Sequence, residues 1–140
     1  MGTRRKSREL TMQMLFQGDL GKQTPDEVRS LFWTSRDDVD AETRGFTEDL
    51  YRVATAKQTE IDALIEAHAQ NWRLERMAVV DRNLLRAGVA ELLGYPNTPA
   101  AIIINETLEI ARRYAAPESV HFLNGVLDAI AREILKQRLG

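Results

Sequence analysis

Apolar and polar residues in this chain recur at three- and four-residue steps along nearly its whole length, the period of helices that bury one face. Between Pro99 and Ala115, the residues Ile103, Ile104, Leu108, Ala111 and Tyr114 line one side, while Asn105, Glu109, Arg112 and Arg113 share another. Pro99 opens this helix at little cost, because a first-turn N–H has no partner inside the helix. Glu109 stands one turn before Arg113, the spacing of a helical ion pair. Past Pro117 the pattern predicts a second helix, with Ser119 as its N-cap. Its apolar stripe is Phe122, Leu123, Val126, Leu127, Ile130, Ile134 and Leu135. The Ala-Pro-Glu joint between the two makes a helical hairpin.

The remaining elements follow the same rule. Met1 to Thr3 are expected to be mobile, and Arg4 to about Gln17 reads as a helix with Leu10, Met14 and Leu15 inward, ended by Gly18 and Gly21. Thr24-Pro25-Asp26-Glu27 is a helix start with a cap, a first-position proline and first-turn acids; Val28, Leu31 and Phe32 form its apolar face. From Ala41 a long pattern runs through Phe46, Leu50, Val53, Ile61, Leu64 and Ile65 towards Trp72, with a bend expected near Gln58. Arg73 to Arg76 reads as a connecting turn, and Met77 to Leu93 as a central helix with apolar residues over most of its surface. Gly88 in the middle of that helix costs about 1 kcal/mol of helix propensity, so a neighbour is expected to approach closely there. Asp81 lies on the border of its apolar face, placed either to pair with Arg82 or to meet a partner.

Composition sharpens this into an all-α reading. The 140 residues suit one domain spanning 1–140, 44% are hydrophobic, aromatics are few, and no long strand-like alternation occurs. The absence of cysteine excludes a disulfide framework, a thiolate metal site and a cysteine nucleophile. The N-terminal stretch is too polar and too short for a signal peptide or a membrane span, which points to a cytoplasmic protein. The net charge of −2 conceals an asymmetry. Residues 1–16 carry four cations against one acid, residues 17–71 six against twelve, and residues 72–140 nine against eight. A short basic arm, residues 1–8, on an acidic body favours local attraction to a polyanion. Arg4, Arg5, Lys6 and Arg8 also crowd the positive end of a helix dipole, a placement that costs stability unless an anion is bound. A solvated, frayed terminus is the plain alternative.

No convergent catalytic set is legible. His68 and His121 fall in different helices without a surrounding motif, and no HExxH, GxSxG, Walker or GxGxxG pattern is present. The acids Asp37, Asp38 and Asp40 lack the glycine and terminal glutamate of a calcium loop, so Asp40 reads as an N-cap. The triplet Asn105-Glu106-Thr107 lies within a helix and is not read as a glycosylation site. A binding module is the best class, with RNA the leading ligand because of the arm.

Four stretches, RRKSRELTMQMLF, VVDRNLLRAGVAEL, PAAIIINETLEIARRY and ESVHFLNGVLD, occur in the order found in the NusB family of bacterial transcription antitermination factors. The chain resembles that family along nearly its whole length. The resemblance implies seven helices in two packed sub-bundles, no cofactor, no metal and no reaction. It implies binding, together with NusE, of the boxA element of nascent ribosomal RNA, within an RNA polymerase antitermination complex. It also implies site residues. Arg4, Arg5, Lys6 and Arg8 would contact phosphates, Gln13 a base edge, Ser119 a phosphate, and Phe122 would stack on an unpaired base. Phe16 and Asp81 would face NusE. The plain readings are a surface amide for Gln13 and core packing for Phe16 and Phe122.

Three positions depart from the family pattern: Glu118 where aspartate is common, His121 where lysine is common and Phe16 where tyrosine is expected. The second removes a cation from the RNA edge; the third leaves only apolar contact. Two rival functions remain. One is an RNA-binding partner of a ribosomal RNA methyltransferase, whose catalytic domain would lie on a separate polypeptide. The other is a helical protein adaptor, with a homodimer possible in which the RNA face is hidden. The RNA reading expects the first cations to lie beside the exposed rim of the last helix.

Overall fold

Seven helices are present in a computed structural model that describes residues 2–70 and 72–140, with side chains from Arg4 on. They are α1 (Gly2–Gly21), α2 (Pro25–Phe32), α3 (Ala41–Ala56), α4 (Gln58–His68), α5 (Val79–Gly94), α6 (Ala100–Tyr114) and α7 (Pro117–Leu139). Single 3-10 turns occupy Trp33–Ser35 and Leu74–Arg76.

Local chemistry accounts for most boundaries. The α2 start is a full capping box: the Thr24 side chain accepts from Glu27 N–H, and the Glu27 carboxylate accepts from Thr24 N–H. Asp40 caps α3 by accepting from Thr43 N–H at 2.8 Å, which holds its carboxyl below the usual range. The expected bend near Gln58 is a break at Lys57, whose backbone leaves the helical region between α3 and α4.

Other boundaries differ from the sequence reading. Helix α1 runs through Gly18 to Gly21 and stops only where Lys22 turns to a φ of 53°. Gln23 N–H then closes on Gly18 O at 3.0 Å. A left-handed lysine costs about 1 kcal/mol, so tertiary packing fixes this end. Gly2 and Thr3, expected to be mobile, are helical, and Met1 lies outside the described residues. Helix α4 stops at His68, well before Trp72. Ser119 is not the α7 cap: Ala116 holds that place, with Pro117 at the first position.

Helix α5 is the axis. On one side α1, α2 and α3 pack together, with α1 and α3 against α5; on the other, α4, α6 and α7 pack around it. These are the two sub-bundles. Leu84, Leu85, Val89 and Ala90 of α5 meet Leu10 and Met14 of α1, Leu50 of α3, Ile103 of α6 and Leu123, Leu127 and Ile130 of α7 in one core. Each fully buried Leu or Ile stabilises by about 1.5–3 kcal/mol relative to exposure. Gly88 allows the predicted close approach: a Cβ there would stand 3.1 Å from Leu127 Cδ2 and 3.2 Å from Thr107 Oγ1. Three apolar positions are corrected. Leu31 and Leu135 are exposed, and Tyr114 is exposed with its hydroxyl donating to Glu9.

Candidate nucleic-acid interface

Cations in the first turns of α1 face the dipole penalty noted above, and the fold answers it with carboxylates from two other helices. Arg8 turns inward. It donates to both oxygens of Glu91 on α5 at 2.7 Å, and the two side chains are 10% and 2% exposed. Burial works most strongly against the Arg8 charge, and the hydrogen bonds and charge of Glu91 together with the charge of Glu106 more than restore it. Arg8 therefore presents no free edge to a phosphate, and the structure removes it from the arm.

Arg5 makes the same two-pronged contact with Glu106 on α6, Nε to Oε1 at 2.8 Å and Nη2 to Oε2 at 2.9 Å, but it stays 49% exposed. Hydrogen bonding from Arg5 holds the Glu106 carboxyl below its usual range. Arg4 lies with its guanidinium 3.8 Å from the Phe46 ring centroid, and Phe46 in turn leans on Tyr95. Stacking uses the face of a guanidinium and leaves its N–H edge available. Lys6 is exposed and makes no ion pair among the described residues. The arm that faces solvent is thus Arg4, Arg5 and Lys6.

Farther along α1, Glu9 is buried and binds Arg113 at 3.3 Å and the Tyr114 hydroxyl, both at the end of α6. This replaces the expected Glu109–Arg113 pair; Glu109 takes Arg112 instead, at 2.7 Å. Gln13, half-buried, lies within hydrogen-bonding reach of Tyr114. Phe16 is half-buried and packs on the core.

A second region lies at the other end of α5. The Ser119 hydroxyl donates to Asp81 Oδ2 at 2.8 Å, tying the start of α7 to the start of α5. Arg82, the expected partner of Asp81, reaches away to Asp19 at 2.6 and 2.8 Å, and Arg86 bridges Asp19 to Asp62. Hydrogen bonding from Arg82 and Asn83 drives the Asp19 carboxyl below its usual range against the effect of burial. Asp81, Ser119 and Phe122 line one open groove of about 340 Å³ with Trp72, Arg76, Met77, Ala78 and Glu118. Phe122 packs on the core, as its plain reading expects, and leaves part of its surface free in the groove. One of the two residues expected at the partner surface, Asp81, and two expected at the RNA surface share this groove.

Ion-pair register measures the separation of the two regions. Helix α1 runs antiparallel to α5, with Arg8 opposite Glu91 and Asp19 opposite Arg82. The arm therefore sits at the Glu91 end of α5 and the groove at the Asp81 end, ten residues or about 15 Å along the axis. The cations are not beside the rim of α7, as the sequence reading expected. The middle of α1, with Gln13, and the end of α6 lie between.

Sequence reasoning missed Glu91, Glu106 and Trp72. Glu91 left a signal, an acid among the apolar residues of the central helix. Trp72 left another, an aromatic just ahead of two arginines in Trp72-Arg73-Leu74-Glu75-Arg76. Glu106 left none.

Comparison with known proteins gives a consistent result. The sequence model of the NusB family matches residues 5–132. The transcription antitermination protein NusB of Koribacter versatilis strain Ellin345 is 58% identical over 137 residues, covering 98% of this chain and 94% of that one. The solved structure of NusB from T. maritima superposes with a TM-score of 0.85 at 32% identity, covering 93% and 91% of the two chains. A crystal structure of antitermination factors NusB and NusE in complex with double-stranded RNA gives a TM-score of 0.86 at 27% identity, covering 95% and 98%.

Proposed function

This chain belongs to the NusB family, and from that premise we propose that it is a transcription antitermination factor that binds boxA-type RNA together with NusE. The observation that carries the reading is that the family match spans both candidate regions while each keeps reactive surface free. Arg5 and Lys6 are exposed on α1, and Phe122 is half-exposed on α7. A related structure holds NusE and RNA on the same fold. Arg4, Arg5 and Lys6 supply phosphate contacts, which give most of the affinity and make it salt-dependent. Gln13 lies on the surface between the two regions and meets the strand as it crosses. Phe122 takes an unpaired base, and Ser119 orients the groove through Asp81 instead of holding a phosphate. Phe16, through apolar contact alone, and Asp81 face NusE.

The protein acts by binding, in the cytoplasm where transcripts are made, as part of an RNA polymerase antitermination complex. No described helix is long and apolar enough to cross a membrane. The test is co-purification with NusE and a short boxA RNA, followed by titration across salt concentrations. The expected result is tighter RNA binding with NusE present and a steep loss of affinity with salt. A flat salt dependence rejects the arm as the phosphate contact. Light scattering with and without RNA reads the homodimer alternative, and a methylation assay with a candidate methyltransferase reads the other.

A further inference from the structure

Trp72 is 52% exposed on the segment between α4 and α5, and the core gives it no role. It lines the same groove as Phe122. Among the described residues the aromatic pairs in contact are Phe32–Trp33 and Phe46–Tyr95, so Trp72 and Phe122 do not close on each other. The groove they share, about 340 Å³ in all, falls in the lower part of the range of small-ligand sites, about 300–1,000 Å³.

Charge sorts the possible contents. Inside the groove Arg76 stands against Asp81 and Glu118, a balance that disfavours a phosphate. Arg73 extends nearby with its side chain 78% exposed. Aromatic faces flanked by cations suit a nucleic-acid strand whose bases leave the stack while its phosphates stay near the basic residues.

Resting on the RNA-binding reading above, we propose that Trp72 and Phe122 both line a slot that takes one unpaired nucleobase of the bound RNA strand, with Arg73, outside the groove, near its phosphates. The slot would then set where along the strand a base must be unpaired. It lies at the opposite end of α5 from the arm, about 15 Å along the helix axis, so phosphates held by Arg4, Arg5 and Lys6 belong to other nucleotides of the strand than the one in the slot.

The experiment uses the full chain, a single-stranded boxA RNA and tryptophan emission. The chain holds two tryptophans, and Trp33 is buried, so a ligand in the groove reports through Trp72. RNA is expected to quench emission in the wild type and not in Trp72→Phe. Trp72→Ala is expected to weaken RNA binding about tenfold with an unchanged salt slope, as loss of one base–aromatic stack predicts. Trp72→Phe keeps a ring and loses less than about threefold. Unchanged RNA affinity in Trp72→Ala, while the wild type binds, overturns the slot and leaves the RNA-binding reading intact. Weaker capture of NusE by Trp72→Ala with RNA affinity intact also overturns it, and assigns the groove to the protein partner. Failure of the wild type to bind RNA, alone and with NusE, overturns both.

Discussion

At the Glu91 end of α5 the cations of α1 are met by carboxylates from two other helices, whereas at the Asp81 end an aromatic groove keeps its rings uncovered. The difference teaches that residue type does not establish availability. Four cations stand in the sequence of the arm, and one of them is a structural element of the core. A lone tryptophan in a connecting segment, unremarkable by periodicity, is the freer surface.

The largest test of this contrast separates Arg8 from Arg5. Arg8→Ala leaves Glu91 buried and unpaired, an expected loss of about 3–5 kcal/mol of folding stability. Arg5→Ala breaks a solvent-screened pair and is expected to leave folding stability nearly unchanged. Denaturant midpoints check both, and equal losses would erase the distinction between a structural and a ligand-facing cation.

The next largest effect belongs to RNA binding. Replacing Arg4, Arg5 and Lys6 by Ala together is expected to lower the salt slope of RNA affinity by about 2, at roughly 0.7 per lost contact to a single strand. The melting temperature should hardly move. Variants of Trp72 should do the reverse, changing affinity and leaving the slope alone.

Acid should act on the clamp behind the groove. The folded-state pKa of Asp19 is depressed, so its stability contribution is full above the ordinary aspartate value of 3.8 and is lost as pH falls through the lower folded value. Urea midpoints measured from neutral pH down past that range should fall more steeply for the wild type than for Asp19→Asn. The smallest effect is expected from Glu106→Gln, which frees Arg5 from its carboxylate. RNA affinity measured at low salt should rise by a fewfold, within the roughly 1 kcal/mol that an exposed pair is worth. A fall instead would mean that Glu106 holds Arg5 in its binding position.

Legibility tracked how local each cause was. The Thr24 and Asp40 caps and the break at Lys57 were readable because a few neighbouring residues decide them. Leu31, Leu135 and Tyr114 were misplaced because helical period defines a stripe and not the width of the helix packed against it. Ser119 was misread as a cap because Pro117 can take the first position, which moves the cap to Ala116. The fate of Arg5 and Arg8 depended on acids 101 and 83 positions away, beyond any window of periodicity.

The sequence by itself determined an all-helical chain with α5 at its centre, since repeated apolar spacing and local capping are short-range physics, while the count of seven helices came from the family resemblance. Tertiary structure alone decided which cations stay free, which aromatic rings share a groove and how far apart the two regions lie. Those outcomes depend on desolvation and on pairing between side chains brought together only when the helices pack.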